Sequence, residues 1–227
     1  SSDVCSSDLF ADVNAVHVPE AVSDEAAALV GCRVSTAYRG VVEQGRLVAS
    51  EVLVVHGCGG VGLAAVAFGH ALGARVVAVD VSADALTLAR AVGADDLLDA
   101  SGVAAVDEAI HELTGGAHVS VECLGHAVTA TNSVRCLRPL GRHVQIGLFP
   151  SPTTDFPISR VIRDELEVLG VHGLSASRIP QVLAMVADGR IDPTAVVRQR
   201  LTIDDIPAAL PAMGRFASPG VSLVTSL

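Results

Sequence analysis

Short apolar runs, each closed by glycine, proline or charge, recur along residues 52–171 at intervals of about 20 to 25 residues. Continuous β-branched runs predict buried strands at 52–55, 75–80, 96–99, 119–123, 143–148 and 167–171. Between them, segments with helical spacing predict helices at 60–72, from Ser82 as N-cap to about Val92, 103–114, 127–137 and 159–163. Gly73 and Gly93 suit the left-handed positions that end two of them. Strand and helix in strict alternation predict a parallel sheet covered on both faces, and right-handed crossovers make it doubly wound.

The flanks break this rhythm. After 172 the pattern predicts a helix at 178–187 and a strand at 196–201. A capping box with an acid at its fourth place, Thr202 to Asp205, follows, then a helix to about Phe216 and a strand at 221–225. Residues 10–34 also lie outside the alternation. The expected organisation is therefore a doubly wound domain at 35–171, with 10–34 and 172–227 as parts of a second domain drawn from both ends. Residues 3–9 (DVCSSDL) resemble the translation of a common sequencing adapter, so residues 1–9 are expected to be a non-native tail and Cys5 carries no chemistry.

The most informative stretch is VLVVHGCGGVGLAAV at 52–66. Gly57, Gly59 and Gly62 form G-x-G-x-x-G between a strand and a helix, with Gly60 adding a fourth glycine. The first allows a tight turn, the second lets a pyrophosphate approach the backbone, and the third lets the helix pack on the strand. The N–H groups at the helix start then face the phosphates. Asp80 ends the second strand, 23 residues after Gly57. A carboxylate there accepts both ribose hydroxyls and repels a 2′-phosphate, which favours NAD over NADP.

Composition narrows the alternatives. Half of the 227 residues are apolar, and the net charge is −10 without a basic stripe, so nucleic acid is not an expected partner. No apolar run approaches a membrane span. Arginine supplies all 15 basic residues, which excludes lysine chemistry. Five cysteines in no disulfide or CxxC pattern fit a reducing cytoplasm. The eight histidines are scattered; His56 and His126 border the glycine loop and the fourth strand, where they could meet a cofactor.

GCRVSTAYRG at 31–40, GCGGVG at 57–62, VAVD at 77–80, GADD at 93–96, SVECLG at 120–125 and LRPLGRHVQIGL at 137–148 together resemble the zinc-dependent medium-chain alcohol dehydrogenases. The resemblance implies a Rossmann domain against a GroES-like catalytic domain, with NAD and a catalytic zinc transferring hydride between an alcohol and a carbonyl compound. It implies that Cys32 is a zinc ligand, that Thr36 lies beside the nicotinamide and that Val61 packs on its ring. It further implies that Ile146, Gly147 and Leu148 meet the carboxamide, and that Cys123 and Gly125 form the turn near the adenosine ribose and nicotinamide. The family's other zinc ligands precede residue 10, so the chain is expected to be an N-terminally incomplete copy that binds NAD without turning over alcohol. Family members often pair the sixth strand across a two-fold axis, which implies a homo-oligomer through 167–171. Rival readings are a zinc-free reductase of the quinone oxidoreductase type, a methyltransferase using S-adenosylmethionine, and a non-catalytic nucleotide-binding fragment.

Overall fold

A computed structural model describes residues 14–150, 156–213 and 219–226; the expected tail at 1–9 lies outside them. The chain opens with α1 (Asp24–Leu29), capped by the Ser23 hydroxyl, which accepts the Ala26 N–H. Two π-helical segments, Val30–Val34 and Arg39–Gln44, then flank α2 (Ser35–Tyr38).

The alternating region follows as β1 (Val52–His56), α3 (Gly60–Ala71), β2 (Arg75–Asp80), α4 (Ala83–Ala91), β3 (Asp96–Asp99) and α5 (Val106–Thr114). It continues with β4 (Ala117–Glu122), α6 (Ala127–Arg135), β5 (Leu137–Gln145), α7 (Ile158–Arg163) and β6 (Glu167–Gly170). The six strands run parallel in the order β3-β2-β1-β4-β5-β6. This is the doubly wound sheet expected, and the reversal of strand order falls between β1 and β4, where such sheets bind ligands.

Alternate side chains divide between the two faces. Leu53, Val55, Val119 and Val121 pack with α2, α3 and the C-terminal segments, whereas Val52, Val54, Ile110, Val134 and Leu137 form the core under α5 and α6. Ser82 caps α4 through the Ala85 N–H, and Gly73 and Gly93 adopt φ of 77° and 110°, as expected.

Several boundaries differ from expectation, among them the start of β5, at Leu137 rather than 143. Helix α5 begins at Val106 rather than 103, because Asp99 binds the Ser101 N–H in a local turn and Gly102 takes φ 77°. Helix α6 stops at Arg135 rather than 137, because the Cys136 carbonyl accepts the Ala117 N–H and Leu137 joins the sheet, with a register shift beyond it. Strand β5 ends at Gln145, not 148, since Ile146 and Gly147 both turn their N–H groups back to the Glu122 carbonyl.

The C-terminal part holds α8 (Ile179–Ala187), β7 (Val197–Thr202), α9 (Ile206–Met213) and β8 (Val221–Ser226). Strands β7 and β8 pair in parallel as a separate sheet. The Thr202–Asp205 capping box is present with both hydrogen bonds. The end expected for the last helix, Phe216, lies outside the described residues. Arg200 meets Glu25 through two hydrogen bonds of 2.9 and 2.7 Å, which joins the C-terminal segment to α1.

Candidate functional site

The site is built at the carboxyl ends of β1, β2, β4 and β5. Gly57 leaves β1 with φ 91°, a left-handed conformation that favours glycine. Its N–H donates to the Val79 carbonyl at 2.8 Å. Gly62 lies against this turn so closely that an added Cβ would sit 1.8 Å from the Gly57 carbonyl oxygen. Gly59, by contrast, is exposed, and a Cβ there would meet nothing within 4 Å. Gly57 thus makes the tight turn, Gly62 packs against it and Gly59 stays open.

No side chain makes a capping hydrogen bond at the start of α3, and the space beside Gly59 is open. Arg33 lies across this end of the helix: a Cβ on Gly60 would be 2.4 Å from Arg33 Cδ. Val61 is half-buried. The Asp80 carboxylate is fixed by the Cys58 N–H at 2.6 Å and the Ser82 N–H at 2.9 Å, one on each oxygen. It is half-buried beside the loop. The Cys58 thiol is pushed far up, first by burial and then by the charge of Asp80, which removes it as a nucleophile.

Two further turns meet beside this loop. A Cβ on Gly57 would strike Leu124 Cδ1 at 2.1 Å, so the turn after β4 lies directly against the loop after β1. Gly125 has φ 79°, and a Cβ there would lie 2.1 Å from the Leu148 carbonyl oxygen. A Cβ on Gly147 would lie 2.0 Å from the Gly125 nitrogen. Cys123, Gly125, Ile146, Gly147 and Leu148 therefore form one interlocked pair of turns. Gly40 joins them from the helical side, its nearest neighbour being Ile146 Cδ1. Thr36 is buried in α2.

Cys32 stands apart from this order. It is exposed within the first π segment, and among the described residues no group of three or more His, Cys, Asp or Glu could hold a metal. A catalytic zinc takes three protein ligands and leaves one position open. The described residues therefore do not by themselves fit a zinc centre.

The two histidines singled out have other places. His56 is 1 % exposed and lies under α6, 3.7 Å from the Cys136 sulfur, so it does not border the loop. Burial, with the neighbouring His143, pushes it down to about 3. His143 is likewise pushed down to about 4 by burial, against the opposing influence of Gln145 and Glu122. His126 caps α6, its Nδ1 accepting the Val128 N–H at 3.3 Å.

The sequence reading missed Glu122. It is fully buried at the end of β4. Its Oε1 accepts the Leu124 and Gly125 N–H groups, both at 3.0 Å, and the Thr129 hydroxyl at 2.6 Å. Its Oε2 accepts the Gly125 N–H at 2.8 Å and the Gln145 amide at 2.5 Å. The signal was available: an acid at the end of a buried strand needs a reason.

Comparison with known proteins bears on this arrangement. The model of the zinc-binding dehydrogenase family matches residues 60–188, more than half of the chain. The chain belongs to this zinc-binding dehydrogenase family. It is 30% identical to an alcohol dehydrogenase of Cupriavidus necator over 209 residues, which cover 88% of this chain and 55% of that protein. It is 36% identical to an erythritol/L-threitol dehydrogenase of Mycolicibacterium smegmatis over 156 residues, 66% of this chain and 42% of that one. Among solved structures, the alcohol dehydrogenase TADH from Thermus sp. ATN1 superposes with a TM-score of 0.85 at 28% identity, over 92% of this chain and 61% of that one. The chain thus spans about half the length of the curated relatives it matches. No helix among its described residues is long and apolar enough to cross a membrane.

Proposed function

We propose that the chain is the NAD-binding part of a zinc-dependent dehydrogenase acting on an alcohol or polyol and the matching carbonyl compound. The observation that carries this reading is the uncapped start of α3 over the open face of Gly59, with the fixed Asp80 carboxylate beside it. The first-turn N–H groups of α3 bind the pyrophosphate. Asp80 keeps lone pairs free for the adenosine ribose hydroxyls, because each oxygen is engaged by one backbone N–H only. Val61, Thr36 and the turn at 146–148 bound the nicotinamide, and the turn at 123–125 lies near the adenosine ribose and the nicotinamide side. Bound NAD supplies the hydride acceptor.

Cys32 is assigned as one zinc ligand, with its co-ligands supplied from beyond the described residues. The 227-residue chain is expected to bind nucleotide at the start of α3. The exposed outer edge of β6 is assigned as the pairing edge of a homo-oligomer.

Titration with NADH and NADPH, followed by nicotinamide fluorescence with zinc determined on the same sample, tests the reading. Clear preference for NADH supports it. Preference for NADPH overturns the role of Asp80 and favours a reductase of the quinone oxidoreductase type. A folded chain that binds neither overturns the glycine-loop assignment.

A further inference from the structure

The face of the sheet under α6 carries polar side chains at the end nearest the site. Ser120, Glu122 and His143 are fully buried there, as is Ser133 on α6 itself. Their hydrogen bonds form a single line. Ser120 Oγ lies 2.6 Å from Ser133 Oγ, Ser133 Oγ 2.9 Å from His143 Nδ1, and His143 Nε2 3.2 Å from Gln145 Oε1. The Gln145 amide nitrogen then donates to Glu122 Oε2 at 2.5 Å and to the Gly147 carbonyl at 2.8 Å.

The direction of this line follows from its last member. With both amide hydrogens of Gln145 donated, its Oε1 can only accept, so His143 carries its proton on Nε2. His143 Nδ1 then accepts from Ser133, and Ser133 accepts from Ser120. A neutral His143 is required, which agrees with the downward push that burial gives it. Every donor and acceptor has one role, and the line ends on Glu122.

Glu122 holds both turns of the site. Its backbone carbonyl accepts the Ile146 and Gly147 N–H groups, both at 2.9 Å. Its carboxylate accepts the Leu124 and Gly125 N–H groups and, through Gln145, reaches the Gly147 carbonyl. There is no slack: a Cβ on Gly147 would lie 2.6 Å from Glu122 Oε2. We propose that Glu122 and Gln145 are positioning residues that lock the turns at 123–125 and 146–148 into one rigid wall for the nicotinamide half of the cofactor. This rests on the NAD-binding reading above. Neither side chain needs to touch the cofactor. Asp80 and the glycine loop, which serve the other half, are held by their own hydrogen bonds, with Leu124 of the clamped turn packed against Gly57.

The test compares NADH with ADP on the 227-residue chain. Glu122→Gln keeps the shape but sets an amide N–H₂ against backbone N–H donors. It is expected to weaken NADH at least about tenfold, within the range set by one stranded buried polar group, and to change ADP affinity less than about twofold. Gln145→Met, at a half-buried position, gives the same pattern more mildly and serves if Glu122→Gln does not fold. Ile110→Val lowers stability from the same core without touching either turn, and leaves both affinities in their original ratio. Selective loss of NADH in the Glu122 or Gln145 variant supports the proposal. Equal loss of both ligands, loss of neither in a folded variant, or the same selective loss in Ile110→Val overturns the positioning role alone. A parent chain that binds neither NADH nor ADP overturns the cofactor reading, and the proposal with it.

Discussion

Lowering the pH from 7.5 to 5.0 is expected to remove a large part of this protein's stability through two buried histidines. His56 and His143 titrate at about 3 and about 4 in the folded chain, against an ordinary 6.5. Their folded values are depressed, so stability is full above 6.5 and falls as the pH drops toward the folded values. At pH 5.0 the unfolded state holds nearly two more protons than the folded one. Each histidine then costs about 2 kcal/mol, about 4 kcal/mol together. This sum is insensitive to the folded values, because both lie below pH 5. His118, lowered by burial and by Arg138, adds to it in the same direction. The carboxylates of Glu25, Asp99, Asp164 and Asp205 are lowered and titrate in a more acidic window, so they do not obscure the effect. Urea unfolding at half-unit steps of pH measures it. With a slope of about 2–3 kcal/mol per molar urea, the midpoint falls by roughly 1.5 M between pH 7.5 and 5.0. His56→Leu removes about half of the dependence. Midpoints at the two pH values that agree within about 0.2 M would refute the claim that these imidazoles are buried and neutral.

Three other substitutions probe the site and the edge. Gly62→Ala drives a methyl into the Gly57 carbonyl; it is expected to cost about 1–3 kcal/mol and abolish NADH binding, read by thermal melting and fluorescence titration. Asp80→Asn removes the charge that opposes a 2′-phosphate and is expected to narrow the NADH-over-NADPH preference by about tenfold, with an unchanged ratio counting against its role. Val168→Lys places a charge on the exposed β6 and is expected to shift any dimer to monomer in light scattering; a parent chain that is already monomeric removes the edge-pairing proposal.

The glycine loop and its carboxylate were legible because their chemistry is local. A tight turn, a close approach and a capless helix are written in six consecutive residues, and Asp80 follows at the end of the next strand. The alternation of β1 to β6 was legible for the same reason, since each element carries its own period. Where neighbours decided, the sequence was silent. Leu137 reads as helix until β4 recruits it into the sheet, and Ile146–Leu148 read as strand until the Glu122 carbonyl bends them away. His56 stands next to the loop in sequence, yet the alternation of a strand turns it into the opposite core. Glu122 and Gln145 are separated by 23 positions, and only the pairing of β4 with β5 brings them together.

The two π-helical segments give the entry helix an unusual arithmetic. In each, a hydrogen bond spans five residues: Ser35 donates to the Val30 carbonyl and Gly45 to the Gly40 carbonyl. Each therefore accommodates a residue that an unbroken α-helix would not hold. Such a turn is what remains when one residue is inserted into a helix whose two ends are already anchored. Thr36 sits between them, phased by one segment relative to Leu29 and by the other relative to Leu47. Deleting a single residue from either would restore α-helical winding and swing Thr36 by about 100° about the axis relative to that end. A one-residue change in either segment would thus alter which side chain occupies the place of Thr36 while the two ends stay packed.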